Sequence, residues 1–567
     1  MPSSHERTNA PAPEGVASPR AAPISPQGAG AHIASAVLRQ ATSGPQAALQ
    51  AALQQLAALP PDTWLECGRS LLQEDAAPAA AFVLERAVQR WPEQVELRYW
   101  LANARRMAGD RAGAERLLRE VLVRQPGHED AALSLAFLLR DWARFSAAAE
   151  VAIGLCRRQG GGVEASKRCV RFLKECRREE LADAFCEEAL AGGSDDPVLL
   201  SFAGSLCMSL GRFERAREHF EHILRLRPKD TEPLFCMALI RRYESADHPD
   251  FARLRAALED STIAQEERAL AGFGLGKALD DVGHYAEAAA VFRRANAALK
   301  PTVRWDAQAW RRFVDGNSQL RLPRLVQPVD SSIVPVFVVG LPRTGTTLVA
   351  DRLSRRPQVR NRDELNWIEH VYRELAAGPL DQRRLANAAA MCLAFLREDD
   401  APARWYIDKN PLNFRHLNLI DALFPNARII HCRRNLRDTA LSIWMQRFSH
   451  EDNDYSYDFA TIRSFAAGYE QLVRALVPGM RVPIMDVDYD ELASQPDATL
   501  ARLQAFLGLP AEPGIEQAGD VITTASVWQV RQPVYQRSIR RWLRYQEHLP
   551  EMMQLPESAS ELQWPDS

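Results

Sequence analysis

The sequence predicts a multidomain chain: an all-α solenoid of helical repeats, then an α/β domain with a parallel sheet and a P-loop-like opening. Three observations carry that reading. Proline and small residues recur on a 34-residue grid through the first half of the chain. Beyond residue 332, apolar β-branched runs alternate with helical patterns. The first of those runs opens VFVVGLPRTGTTLVADRL, residues 336–353, which has the outline of a phosphate cradle with its lysine missing.

Length and composition frame the rest. At 567 residues the chain is too long for one core, so two or more domains are expected. Apolar residues make up 46% and charged residues 25%, ordinary for a globular protein. The formal charge of −3 gives no argument for nucleic acid or a membrane surface as partner. Nine cysteines form no C-x-x-C pair and sit among apolar neighbours, which reads as reduced, buried thiols and a cytoplasmic setting. No signal-peptide pattern opens the chain, and no run reaches the ~18–20 apolar residues of a membrane span. Residues 1–44 are a Pro/Ala/Ser-rich tail, too small and polar to build a core, and are expected to be disordered.

The solenoid is expected over residues 45–301. Pro92, Pro126 and Pro228 lie on one grid, with Gly160 and Ser194 filling its intermediate marks. Twelve residues before successive marks stand Ala114, Ala148, Ala182 and Ala216. A later unit repeats the arrangement with Leu275, Gly276, Gly283, Ala288, Phe292 and Ala295. Small residues let the two helices of a unit approach, and large apolar ones fill the gap to the next unit. On these residues the region resembles the tetratricopeptide repeat family across residues 58–301, with a looser insertion at 242–262. That resemblance implies a concave surface and a protein partner bound on it.

After Pro301 the period stops. Residues 302–332 read as a connecting helix and a proline-punctuated linker, 333–550 as the α/β domain, and 551–567 as a C-terminal tail. Strands are expected at Arg428–Cys432 and near Val482–Val487, each followed by a helix, the second helix ended by Gly508 and Pro510. Such alternation argues for a parallel sheet with helices on both faces.

In the opening loop, Gly340 and Gly345 stand five apart, as in a nucleotide-binding loop, but Thr346 occupies the lysine position. A turn feeding a helix N-terminus converges backbone N–H groups on an anion. Here the cation inside the loop is Arg343, whose fork grips a terminal oxyanion without a metal.

The loop GLPRTGTT followed by CRRNLRDTALS resembles the sulfotransferase superfamily, whose donor is 3′-phosphoadenosine 5′-phosphosulfate. The resemblance covers residues 333–547 and is nearest to tyrosylprotein sulfotransferases and their repeat-bearing bacterial relatives. It implies that Gly340, Pro342, Arg343, Thr344, Gly345, Thr346 and Thr347 cradle the phosphosulfate. Arg434 and Ser442, eight apart after a strand, match the pair that holds the 3′-phosphate. Tyr489 matches a tyrosine near the adenosine, and Ser526 matches a later serine of the donor site. Glu364 in RDELNW matches the catalytic glutamate, and Lys409 in YIDKNPLN the catalytic lysine. Two positions depart from the tyrosylprotein pattern: Asp363 stands where those enzymes carry glutamate, and Asn366 where they carry arginine. The second touches acceptor recognition, so the hydroxyl acceptor is left open among protein tyrosine, glycan and small molecule.

The chemistry asks for these residue types. An attacking hydroxyl must lose its proton, which assigns Glu364 as base, with His370, His416 and His431 as rivals. Charge grows on the departing phosphate oxygen, which assigns Lys409 to that oxygen and Arg343 to the sulfonate. His431–Cys432 has no second ligand pair at zinc spacing, so no metal is expected. Two other readings remain at this stage: a nucleotide phosphotransferase, and a non-catalytic repeat scaffold.

Overall fold

The computed structural model describes residues 28–40, 45–376, 378–399, 402–448, 451–510, 536–562 and 564. The N-terminal part is a helical solenoid of tetratricopeptide type, and the C-terminal part is built on a parallel five-stranded sheet. The chain divides between Gly161 and Gly162 into two compact units.

The first unit is a run of helical hairpins: Pro61–Gln73 with Ala77–Arg90, Val95–Met107 with Arg111–Arg124, and Glu129–Arg140 with Phe145–Arg158. The grid alanines Ala114 and Ala148 are fully buried, as their place between paired helices requires. The expected tail is shorter than its sequence suggests. Ala29–Gln40 is a helix with Ile33, Ala34 and Val37 buried, because those positions fall on one helical face.

The second unit begins within the repeats and contains the whole sheet domain. Its repeat hairpins are Val163–Glu175 with Glu179–Ala191, Pro197–Ser209 with Phe213–Leu226, and Gln265–Asp281 with Tyr285–Leu299. At Gly204 a Cβ would lie 2.5 Å from the Phe220 ring, so only glycine allows that approach between helices. The looser insertion folds as the helix Pro249–Glu259, anchored by buried Phe251 and Leu254. The connecting helix is Ala307–Gln319, and its Trp310 stacks on Phe465 at 4.9 Å.

Five strands form the sheet: β1 Val334–Gly340, β2 Val359–Asn361, β3 Trp405–Asp408, β4 Arg428–Arg433 and β5 Ile484–Asp488. Their order is β2-β3-β1-β4-β5 and every pairing is parallel. The three-residue β2 and four-residue β3 were not legible as strands, being too short to show a period. Alternation along β1 sends Val336 and Val338 to one core and Phe337 and Val339 to another. The second of these cores is continuous from Leu200 in the repeats through Trp310 to Leu562. Two boundaries expected from sequence therefore move. The sheet domain is not separate from residues 162–301, and residues 551–562 are no tail, since Met552 and Leu555 are buried in this core.

Candidate functional site

In open parallel sheets, ligands bind beyond the carboxyl ends of the strands where the chain order reverses. Here β1 is central, with β3 on one side and β4 on the other, and all three end on one edge. Each contributes a piece of the candidate site.

The β1 piece is the loop. Gly340 has φ +149°, and a Cβ there would lie 2.4 Å from the Cys432 carbonyl oxygen, so the loop can leave the sheet only through glycine. Gly345 has φ +95° and would place a Cβ 2.7 Å from the Tyr489 ring. Between them Arg343 itself is left-handed at φ +73°. Thr344 Oγ1 donates to the Leu341 carbonyl at 2.7 Å, pinning the turn. Thr346 and Thr347 are buried and open the helix Thr346–Ser354. Pro342 is buried beside them.

The β4 piece meets that loop. Arg434 Nη1 donates to the Arg343 carbonyl at 3.1 Å, and Arg343 Nε donates to Ser442 Oγ at 3.1 Å. The Arg434 guanidinium lies 4.4 Å over the Tyr489 ring, while its Nη2 donates to the Ser538 carbonyl at 2.6 Å. Tyr489 Oη and Ser538 Oγ are 2.7 Å apart. Arg343, the Arg434–Ser442 pair and Tyr489, from three separate segments, thus form one cluster; Ser442 pairs with Arg343 within it. Ser526 lies outside the described residues.

Ser538 was missed by sequence reasoning. It sits in QRSIRRW, and the signal was available in the tryptophan that follows. Trp542 is buried and its backbone N–H donates to Asp438 Oδ1 at 2.9 Å, fixing the segment beside Arg434. The repeats hold the same segment. Tyr545 Oη donates to Asp280 Oδ1 at 2.7 Å, and Arg541 pairs with Asp280 at 2.5 Å. Burial works against the charge of Asp280, but Arg541 and Tyr545 outweigh it and hold its pKa below the ordinary carboxylate value.

The β3 piece is a buried charge cluster. Lys409, with no solvent exposure, places Nζ 2.6 Å from both Asp363 Oδ1 and Glu364 Oε1. Desolvation alone would lower its pKa; Asp363 and Glu364 more than offset this and raise it, so the lysine is charged. The Glu364 side chain is 43% exposed, so it reaches solvent while anchored from behind. The Lys409 N–H donates to the Asp363 carbonyl at 3.0 Å, and Asn410 Nδ2 to the Leu365 carbonyl at 3.0 Å, fixing the two segments together. Asp408 is buried and accepts from Asn413 at 3.0 Å; burial pushes its pKa up to about 7. β3 and β4, the strands that lead into the two clusters, flank β1 and so lie two strand spacings apart, about 10 Å.

The rival bases are engaged elsewhere. His416 is buried and pairs with Glu369 at 2.6 Å, and His431 lies between Asp486 and Tyr469. His370 is an exposed neighbour of Glu374 at 3.2 Å. Among the described residues, Glu187, Cys207 and His219 form one group at metal-ligand spacing, in the repeats. Arg215 and His219 already answer Glu187, and the Cys207 thiol donates to Asp183. No helix among the described residues is long and apolar enough to cross a membrane.

The family models agree with this architecture. The sulfotransferase family model matches residues 335–513, and tetratricopeptide repeat models match 71–136 and 199–230. An uncharacterised protein of Aquifex aeolicus is 28% identical over 391 residues, 63% of this chain and 50% of that protein. Protein-tyrosine sulfotransferase 2 of Gallus gallus is 24% identical over 239 residues, 38% of this chain and 64% of that protein. The matches thus span half to about two thirds of these relatives' own lengths. A solved tetratricopeptide repeat protein from Parabacteroides merdae is 14% identical with a TM-score of 0.23, over 43% of this chain and 98% of that chain. The chain carries tetratricopeptide repeats in its N-terminal part and a sulfotransferase-family domain in its C-terminal part.

Proposed function

We propose that the protein is a sulfotransferase that moves a sulfuryl group from 3′-phosphoadenosine 5′-phosphosulfate to a hydroxyl acceptor. The observation that carries this is the pairing of an exposed carboxylate, Glu364, with a fully buried lysine, Lys409, beside a loop whose cation is Arg343.

The donor would supply the sulfuryl group, and the chain's residues suit it. Gly340, Pro342, Arg343, Thr344, Gly345, Thr346 and Thr347 offer N–H groups, hydroxyls and a guanidinium to the phosphosulfate. Arg434 and Ser442 suit the 3′-phosphate and Tyr489 the adenosine, with Ser526 a further donor-binding residue by resemblance. Arg434 Nε is buried and makes no hydrogen bond among the described residues, a donor with capacity for an anion. Glu364 accepts the proton of the acceptor hydroxyl as the oxygen–sulfur bond forms. Lys409 holds Glu364 in place through their ion pair, and its own charge stabilises the phosphate oxygen freed as the sulfur–oxygen bond breaks. The acceptor is a protein tyrosine, a glycan or a small hydroxyl compound, brought or recruited by the repeats.

Calorimetry and a labelled-donor transfer assay test the proposal. The 3′,5′-bisphosphate should bind much more tightly than 5′-AMP, and labelled donor should pass its sulfuryl group to a fraction of cell extract. Equal affinity for the two nucleotides, or binding of ATP with magnesium in their place, would sink it.

A further inference from the structure

We propose that Arg177 and Arg178, on a turn between two repeat helices, are positioning residues for the segment that carries Glu364. This rests on the base role given to Glu364 above and extends it into the repeats.

The turn is set by the repeat grid. Successive units place Asp75, Gly109, Ala143, Arg177 and Gly211 at one position, and all have positive φ, +58°, +86°, +57°, +56° and +76°. This is the left-handed residue after a helix C-terminus, where glycine carries no Cβ penalty. An arginine there occupies a backbone state that disfavours it, and its side chain crosses to the sheet domain. Arg177 Nη2 donates to the carbonyl oxygen of Arg362, the residue before Asp363–Glu364. Its Nη1 lies 3.7 Å from Glu398 Oε1. Arg178 donates to Glu398 Oε2 at 3.0 Å and to Asp399 Oδ1 at 3.0 Å.

Glu398 and Arg362 are the hub. The Glu398 side chain is 2% exposed, so its charge needs the three guanidiniums around it. Arg362 Nε donates to the Leu396 carbonyl at 2.6 Å and Nη2 to the Arg397 carbonyl at 3.0 Å. It therefore caps the helix Gln382–Arg397 at the end where a cation is favoured. The Arg362 N–H donates to the Ile407 carbonyl at 2.8 Å, joining this segment to β3. Asp363, at φ +49°, then turns the chain so that both carboxylates meet Lys409. The position of Glu364 is thus set from two sides, by Lys409 beneath it and by the repeat arginines behind it.

Arg177→Gly in the full chain is the decisive variant, because glycine suits the left-handed backbone while the side chain is removed. Hydrogen exchange at residues 361–366 should quicken, with exchange in the helix Thr346–Ser354 unchanged. Affinity for the 3′,5′-bisphosphate and donor KM should hold while turnover falls ~10–10²-fold, the scale of a small misplacement. Added to Glu364→Gln, Arg177→Gly should cause no further loss, and Arg177→Lys, which keeps a donor, should recover part of the rate. Should Arg177→Gly fold poorly, Arg178→Ala is read the same way. Unchanged exchange with full turnover would overturn the proposal, as would losses that multiply with Glu364→Gln. If the unaltered chain transfers no sulfuryl group, the base role falls; exchange at 361–366 then decides the positioning alone.

Discussion

The turn after Val95–Met107 and the turn after Val163–Glu175 share a backbone and differ in use. Gly109 takes the left-handed position with open space around its Cα, while Arg177 takes it and grips the Arg362 carbonyl. The repeat period dictates where the chain must turn and leaves the side chain at that point free to be spent. In the first unit the grid serves the solenoid. In the second, residues on or near it hold the sheet domain at two places: Arg177 and Arg178 behind Glu364, and Asp280 behind the segment bearing Ser538.

Truncation gives the largest effect and breaks the comparison most directly. The motif residues all lie beyond Val326, which by sequence alone predicts that a fragment starting near there still binds the bisphosphate once the apolar face exposed by the cut is made soluble. The shared core predicts a larger loss: such a fragment should be insoluble and fail to bind, because Leu200 to Leu299 complete the sheet domain's own core. A fragment beginning at Gly162 should keep bisphosphate binding. Soluble yield and calorimetry on both fragments check this, and a well-behaved fragment from Val326 would restore the separable domain.

Next in size is the base itself. Glu364→Gln keeps shape but cannot take the acceptor's proton, so turnover should fall ~10²–10⁴-fold with donor affinity little changed. If donor binding collapses with activity, Glu364 supports the loop and is no base. Arg434→Ala should weaken the bisphosphate by roughly 10–150-fold, the worth of a charge-assisted contact, and erase most of its advantage over 5′-AMP. Calorimetry on the variant with both nucleotides reads it.

The smallest effect concerns Asp408, beneath Lys409. Its folded pKa, about 7, lies above the ordinary 3.8, so the folded state binds the proton more tightly. The stability it contributes is full below the ordinary value and is lost as pH rises through about 7. Asp408→Asn should therefore raise the melting temperature at pH 8 by roughly 1–4 °C. Near pH 4 the two proteins should melt alike, and a pH-independent difference would place the charge elsewhere.

Sequence alone determined the elements that repeat or that need glycine. The 34-residue grid marked the solenoid because small residues must recur wherever two helices touch. Gly340 and Gly345 marked the loop because no residue with a Cβ fits against Cys432 and Tyr489. Glu364, Lys409, Arg343, Arg434 and Ser442 were picked out in the sequence by resemblance to sulfotransferase motifs; the first four lie within three residues of a strand end, and Ser442 lies on the helix after β4. Tertiary structure decided what depends on approach between distant segments. It set Ser538 against Arg434 and Tyr489, gave Lys409 two carboxylates, and carried Arg177 across 185 residues of sequence to Arg362. It also drew the boundary at Gly161–Gly162, because a core is divided by which apolar faces cover one another, and a repeat period does not say which face the next domain will use.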